Sequence, residues 1–213
     1  MQDKIVQGSL ITTFRCNAKC NMCNIWQCPT KPSEEIDASY YEKLPAGLRI
    51  NITGGEATIR QDIDKIFEVL YPKSVLLELS TNGYNTKKIV ELANKYPKIL
   101  IRVSVEGLPR INDEKRGLKD GFDHALRTML ELKKTKCKNI GFSVVISPDN
   151  YKDFSRFMNS ALPSMWSWET RPFTTAGIST STTTRLKAMR LSSSMNSLSR
   201  RCSPANAAAS RTA

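Results

Sequence analysis

Five times before residue 165 the chain repeats one pattern. A short, β-branched apolar run is followed by a stretch whose apolar residues recur at helical spacing. The first run is Ser9-Leu10-Ile11-Thr12-Thr13-Phe14. After it Asp37 caps a short helix from Ala38 to Leu44, which Pro45-Ala46-Gly47 ends. Leu48 to Thr53 alternates apolar and polar as a second strand, and Ile63, Ile66, Phe67 and Leu70 mark the helix behind it. Val75 to Leu79 is the third strand, with Ile89, Leu92, Ala93 and Tyr96 on the next helix face. Ile99 to Val105 is the fourth. A long loop through Pro109, Asp113, Arg116 and Gly117 separates it from a helix facing inward with Phe122, Ala125, Leu126, Met129 and Leu130. Ile140 to Ile146 is the fifth strand, and Tyr151, Phe154, Met158 and Ala161 continue as a helix. Strand-then-helix repetition requires a parallel sheet with crossover helices. Strands apolar on both faces are what such a sheet buries.

In sheets of this kind ligand sites gather at the carboxyl ends of the strands. Four polar motifs fall there: three cysteines after the first strand, Gly54-Gly55-Glu56 after the second, Ser80-Thr81-Asn82-Gly83 after the third, and Ser104 with Glu106 at the end of the fourth. The cysteines, Cys16, Cys20 and Cys23, are spaced C-x3-C-x2-C, close enough to converge on one metal centre without long loops to close. Three thiolates on a four-iron cluster would leave one iron open. Cys28, five residues on, keeps a closed four-cysteine zinc or iron–sulfur site in play, and a disulfide is a weaker alternative. Paired glycines admit close approach to the backbone. Glu106, behind a buried strand, needs a partner, and ribose hydroxyls would serve. Either glycine-rich motif is by itself also an ordinary turn.

The remaining candidates are bland. His124, the one histidine, belongs inside a helix, which gives Ser–His or Cys–His nucleophilic chemistry little support, and no catalytic residue is assigned. Cys137 and Cys202 are isolated. Trp166 and Trp168 are expected to pack. The 213 residues carry a net charge of +12, but Thr170 to Ala213 holds seven basic and no acidic residues, so the part before it is only mildly basic. Nucleic acid is therefore disfavoured as a partner. No leader and no membrane-length apolar run are visible, pointing to the cytoplasm. Seventeen of the last 44 residues are Ser or Thr without apolar periodicity, a composition expected to be disordered. The expected organisation is a core domain over 1–165 and a Ser/Thr/Arg-rich tail over 166–213.

Taken together, C-x3-C-x2-C after strand one, Gly-Gly-Glu after strand two, Ser-Thr-Asn-Gly after strand three and Ser-x-Glu at strand four resemble the radical S-adenosylmethionine (SAM) superfamily. Val103 to Gly107 and Asp113 to Gly117 are similar to the SPASM/twitch and molybdenum-cofactor cyclase-like branch. The likeness runs from Ile5 to Phe157. It implies a [4Fe–4S] cluster on Cys16, Cys20 and Cys23, with SAM on the open iron. It places Met22 near the adenine and Gly54, Gly55 and Glu56 at the methionine ammonium. Thr81 and Ser104 would line the cofactor, with Glu106 toward the ribose. The implied chemistry is cleavage of SAM to a 5′-deoxyadenosyl radical that takes a hydrogen from a peptide or small-molecule substrate, with flavodoxin or ferredoxin as electron donor. The implied fold is a partial (β/α)6 TIM-like barrel.

The chain departs from that pattern in three ways. Ala57 stands where a proline is usual. No downstream cysteine group exists for auxiliary clusters. A sixth strand is due near Trp166 to Phe173, where the sequence turns rich in Ser, Thr and Arg, so the barrel is expected to be incomplete after strand five and the tail reads as truncated or out of frame. A non-catalytic metal-binding module and a non-functional fragment are the competing readings.

Overall fold

The computed structural model describes residues 7–158 and 167–172. Six parallel strands form one sheet in chain order: β1 (Gln7–Ile11), β2 (Leu48–Thr53), β3 (Ser74–Thr81), β4 (Leu100–Ser104), β5 (Ile140–Ile146) and β6 (Ser167–Pro172). Five α-helices connect them: α1 (Ile63–Leu70), α2 (Thr86–Lys95), α3 (Pro109–Arg116), α4 (Gly121–Lys133) and α5 (Tyr151–Met158). Sequential order in an all-parallel sheet requires a crossover after each strand; among the described residues α-helices lie in those after β2, β3, β4 and β5, while the one from β1 to β2 carries only 3-10 turns. No helix among the described residues is long and apolar enough to cross a membrane.

One sheet face carries the core. Ile50, Ile52, Leu77, Leu79, Ile101, Val103, Phe142 and Val144 are buried there. They meet Ile63, Ile66, Phe67 and Leu70 from α1, Ile89, Leu92 and Ala93 from α2, and Ala125, Met129 and Leu132 from α4. The expectation of apolar residues on both faces holds only in part for the other side. Asn51, Glu78, Ser80, Arg102 and Ser143 share it with Leu76, Leu100 and Val145, all half-buried. A period of two sends alternate residues to opposite faces, and the described helices pack on the apolar one.

Several expected elements change. β1 starts earlier and ends at Ile11, although its backbone still pairs beyond it: Thr12 N–H donates to Thr53 O at 3.0 Å. Ala38–Lys43 is a 3-10 helix, with the Asp37 carboxylate accepting from Ser39 N. The stretch expected as a loop is α3. Its Pro–Arg–Ile–Asn–Asp–Glu–Lys–Arg sequence holds one large apolar residue, Ile111, and the residues it buries are Asn112 and Lys115, so apolar periodicity carries no signal there. Pro109 opens the helix and Gly117, at φ 53°, closes it in the left-handed region. In α4 Leu130 is 45% exposed, and Leu132 takes the inward place. Tyr151 likewise faces out, while Phe157 is buried; Ala161 lies outside the described residues.

The sheet does not stop after strand five. β6 pairs with β5 from Gly141↔Ser167 to Ile146↔Pro172, inside the segment expected as tail and where a sixth strand was due. The ladder still does not close from β6 onto β1 among the described residues. Phe173 to Ala213, the rest of the expected disordered tail, lies outside the described residues, as do Trp166 and Cys202.

Candidate metal and cofactor site

Ala18, Cys20 and Leu118 form a small apolar knot, and Cys16, Met22 and Cys23 pack against it. The three motif cysteines and Met22 are thus brought together on the loop leaving β1. None of the described cysteines is bridged. Ala18 N–H points at Cys16 Sγ at 3.4 Å, and Trp26 Nε1 pins the Cys20 carbonyl at 3.1 Å. Cys28 ends the 3-10 turn Ile25–Gln27 and lies outside the knot.

The loop is held from three sides. On the first, Gly55 N–H donates to Thr13 O and Glu56 N–H to Arg15 O, both at 2.8 Å. A Cβ on Gly54 or Gly55 would collide with the carbonyls of Thr13 or Arg15. The close approach that these glycines permit here is that of the chain's own cysteine loop. On the second side, Asn82 Nδ2 donates to Asn17 Oδ1 at 2.7 Å, tying in the loop after β3. On the third, α3 offers its last carbonyls: Lys19 N–H donates to Arg116 O at 3.0 Å and Asn21 N–H to Lys115 O at 2.9 Å. The segment following the cysteines is fixed by Glu35. Its buried carboxylate accepts from Arg15 at 2.8 and 2.9 Å and from Thr13 and Thr30. Burial acts to raise the Glu35 pKa, but the Arg15 and Thr13 hydrogen bonds and the nearby Arg60 outweigh it and hold the carboxyl below its usual range.

Glu56 is 2% exposed, and both its oxygens are occupied by the chain. Oε1 accepts from Thr58 N (3.2 Å), Thr58 Oγ1 (2.7 Å) and Thr81 Oγ1 (2.9 Å); Oε2 accepts from Asn82 N (2.7 Å). Thr81 is buried too, and its hydroxyl also receives Gly83 N–H. These two residues join the loops after β2 and β3. Ser104 is half-buried at the end of β4, opposite Ser143.

Glu106 is 1% exposed. Its partner is supplied from within: Arg116 Nη1 donates to Oε1 at 2.8 Å, and Val145 N–H to Oε2 at 2.9 Å. Burial pushes the Glu106 carboxyl up, against the pull of Arg116. Asn112 and Asn150 brace its backbone, accepting from Glu106 N and donating to Glu106 O, both at 2.9 Å.

Arg116 is the residue the sequence reading passed over as a loop marker. The signal was a buried carboxylate after a strand, which requires a cation in reach. Burial raises the Cys16 and Cys20 thiols; against it the Ala18 N–H acts first on Cys16 and the Arg116 guanidinium first on Cys20, with Arg116 a weaker pull on Cys16. The Arg116 Nε–H is enclosed without a hydrogen-bond partner. His124 does not join the site; it stacks on Tyr84, with ring centroids 3.9 Å apart.

Among the described residues no three His, Cys, Asp or Glu side chains are drawn in to the range of a single ion's ligands. A four-iron cubane offers a separate iron to each thiolate, so its ligands surround a larger object than one ion. Three unbridged thiols in one apolar knot, with a guanidinium beside two of them, form a donor set that fits such a cluster.

Comparison with known proteins agrees. Residues 10–161 match the Radical SAM superfamily. The chain is 29% identical over 152 residues to Fe-coproporphyrin III synthase of Methanosarcina barkeri, covering 66% of this chain and 37% of that protein. It is 30% identical over 142 residues to GTP 3′,8-cyclase of Helicobacter pylori strain J99, covering 57% and 43%. The chain thus spans less than half the length of these relatives. Among solved structures, Streptococcus suis SuiB bound to S-adenosylmethionine superposes with a TM-score of 0.67 at 17% identity, covering 81% of this chain and 42% of that one. With the family signature matched over most of the described sheet and its cysteines gathered at one rim, the chain belongs to the radical SAM superfamily.

Proposed function

We propose that this chain is the core of an enzyme that reductively cleaves SAM and uses the product radical to abstract a hydrogen from a peptide or small-molecule substrate. The carrying observation is the gathering of Cys16, Cys20, Cys23 and Met22 in one knot, locked to the exits of β2, β3 and β4. When bound, a [4Fe–4S] cluster on the three thiolates together with SAM supplies the electron transfer that yields methionine and a 5′-deoxyadenosyl radical. The chain's own residues orient and enclose. Met22 packs beside the cysteines, where an adenine ring would lie. Glu56 and Thr81 act chiefly by holding the Gly54–Gly55 loop in place, leaving that loop's backbone to meet the methionine ammonium. Ser104 faces the cofactor from β4, and Glu106 acts from behind it through Arg116. The electron donor is a flavodoxin or ferredoxin, and the compartment is the reducing cytoplasm, in keeping with unbridged cysteines.

The test is anaerobic reconstitution with iron and sulfide, reduction in the presence of SAM, and assay of 5′-deoxyadenosine. The expected outcome is product in the wild type and in Cys28→Ser, and none in Cys20→Ser. Loss of the cluster in Cys28→Ser would instead establish a closed four-cysteine site.

A further inference from the structure

The peptide unit between Cys20 and Asn21 is held on both of its polar sides. Its N–H, that of Asn21, donates to Lys115 O at 2.9 Å, at the end of α3. Its C=O, that of Cys20, accepts the indole Nε1–H of Trp26 at 3.1 Å. Cys23 N–H donates to the same oxygen at 3.3 Å as the turn closes. A trans peptide is planar, so its N–H and C=O point in opposite directions. The unit therefore lies between α3 and the indole, and rotating its plane breaks a bond on each side. That plane fixes ψ of Cys20 and φ of Asn21, the backbone's two soft dihedrals at this point. They set where the Cys20 thiol points and where the turn delivers Met22 and Cys23. Trp26 reaches back from the 3-10 turn Ile25–Gln27. That turn is closed by its own bonds, Gln27 N–H to Asn24 O at 3.1 Å and Cys28 N–H to Ile25 O at 3.2 Å. The Trp26 ring is half-buried and belongs to neither apolar cluster. An indole has one donor, and here it is directed at the backbone of the middle cysteine.

We propose that Trp26 is a positioning residue for the metal centre: through its single N–H it presets the peptide plane that aims Cys20 and carries Met22 and Cys23. This rests on the radical SAM reading above. The bonds from α3 hold N–H groups on either side of Cys20, at Lys19 and Asn21. They leave the Cys20 carbonyl to be satisfied from elsewhere, and with Cys20 9% exposed little water reaches it. Without the indole that oxygen keeps only the longer bond from Cys23, and the plane is free to tilt about its N–H anchor. A thiolate on a tilting plane must be ordered each time it takes iron, whereas a preset one has that ordering built in. On this reading the turn that ends in Cys28 serves the site through Trp26, its middle residue.

The test uses the full chain and two replacements. Trp26→Phe keeps an aromatic ring and removes the donor, whereas Trp26→Gln removes the ring and keeps an N–H at comparable reach. In the cluster-free protein, hydrogen exchange at the Asn21 amide, on the other side of the same peptide unit, should run about fivefold faster in Trp26→Phe than in the wild type. After anaerobic reconstitution, release of iron to a ferrous chelator should rise by about the same factor, the weight of one net hydrogen bond. Trp26→Gln should lie nearer the wild type on both readouts. A ring that only fills space predicts the reverse order, with Trp26→Phe close to the wild type and Trp26→Gln the worse. That reverse order, or two variants that behave alike on either readout, would overturn the proposal. A wild type that takes up no iron sinks the radical SAM reading and the cluster role of Trp26 together. A wild type that loads its cluster while the variants fail to rank as stated sinks the positioning role alone.

Discussion

Removing the Glu56 carboxylate would strand donors on two loops at once, those of Thr58, Thr81 and Asn82. Glu56→Ala is expected to cost on the order of 3 kcal/mol in urea unfolding of the cluster-free protein, since each buried unpaired donor costs about 1–3 kcal/mol. A role confined to touching the cofactor would leave that midpoint unmoved. Glu35 allows a test by pH. Its folded-state pKa is lowered from 4.5, so its contribution is present above that value and is lost as pH falls through the depressed one. Acidification below about pH 4.5 should therefore lower the melting temperature of the wild type more than that of Glu35→Gln. At this scale the sequence showed which residue types stand at the rim, but not their partners. Glu56 and Glu106 read as ligand groups because the residues that satisfy them, Asn82 and Val145, arrive from other strands.

The helices divide by what they bury. α1 and α2 were legible because their inward residues are large and apolar. α3 buries Asn112 and Lys115, and its helix is set by a proline start and a left-handed glycine end that composition alone assigns to a loop. β6 was due there by resemblance but illegible as a pattern for a related reason: Ser-Trp-Glu-Thr-Arg-Pro shows no apolar alternation, and its identity as a strand comes from the ladder to β5. α4 gives a sharp comparison. Leu132→Ala should destabilise by about 2–5 kcal/mol as a cavity in the core, whereas Leu130→Ala should stay within about 0.5 kcal/mol. Chemical denaturation of the two variants checks this, and equal losses would place Leu130 in the core after all.

Across the whole molecule the sheet is graded. β3 lies between two paired strands and β1 is paired along one side only among the described residues, with Ile11 54% exposed. Hydrogen exchange should run faster at β1 than at β3; equal protection would mean that a further part of the chain covers the β1 edge. The sheet's order and direction were readable from the repeat of strand and helix. The polarity of its second face was not, although β2 already alternates Ile50, Asn51, Ile52, Thr53, because a strand pattern does not say whether the far side meets a helix or open space.

The three grips on the cysteine loop come from places made at different times. The Gly54–Gly55 loop and Asn82 follow the cysteines at moderate distance, but the carbonyls that take Lys19 and Asn21 belong to the end of α3, far downstream. A ribosome-bound chain that has released only its first strands therefore holds the thiols on an unanchored loop. On the ligation proposed for these cysteines, iron loading is expected to be a late event in biogenesis, following the docking of α3 rather than guiding it.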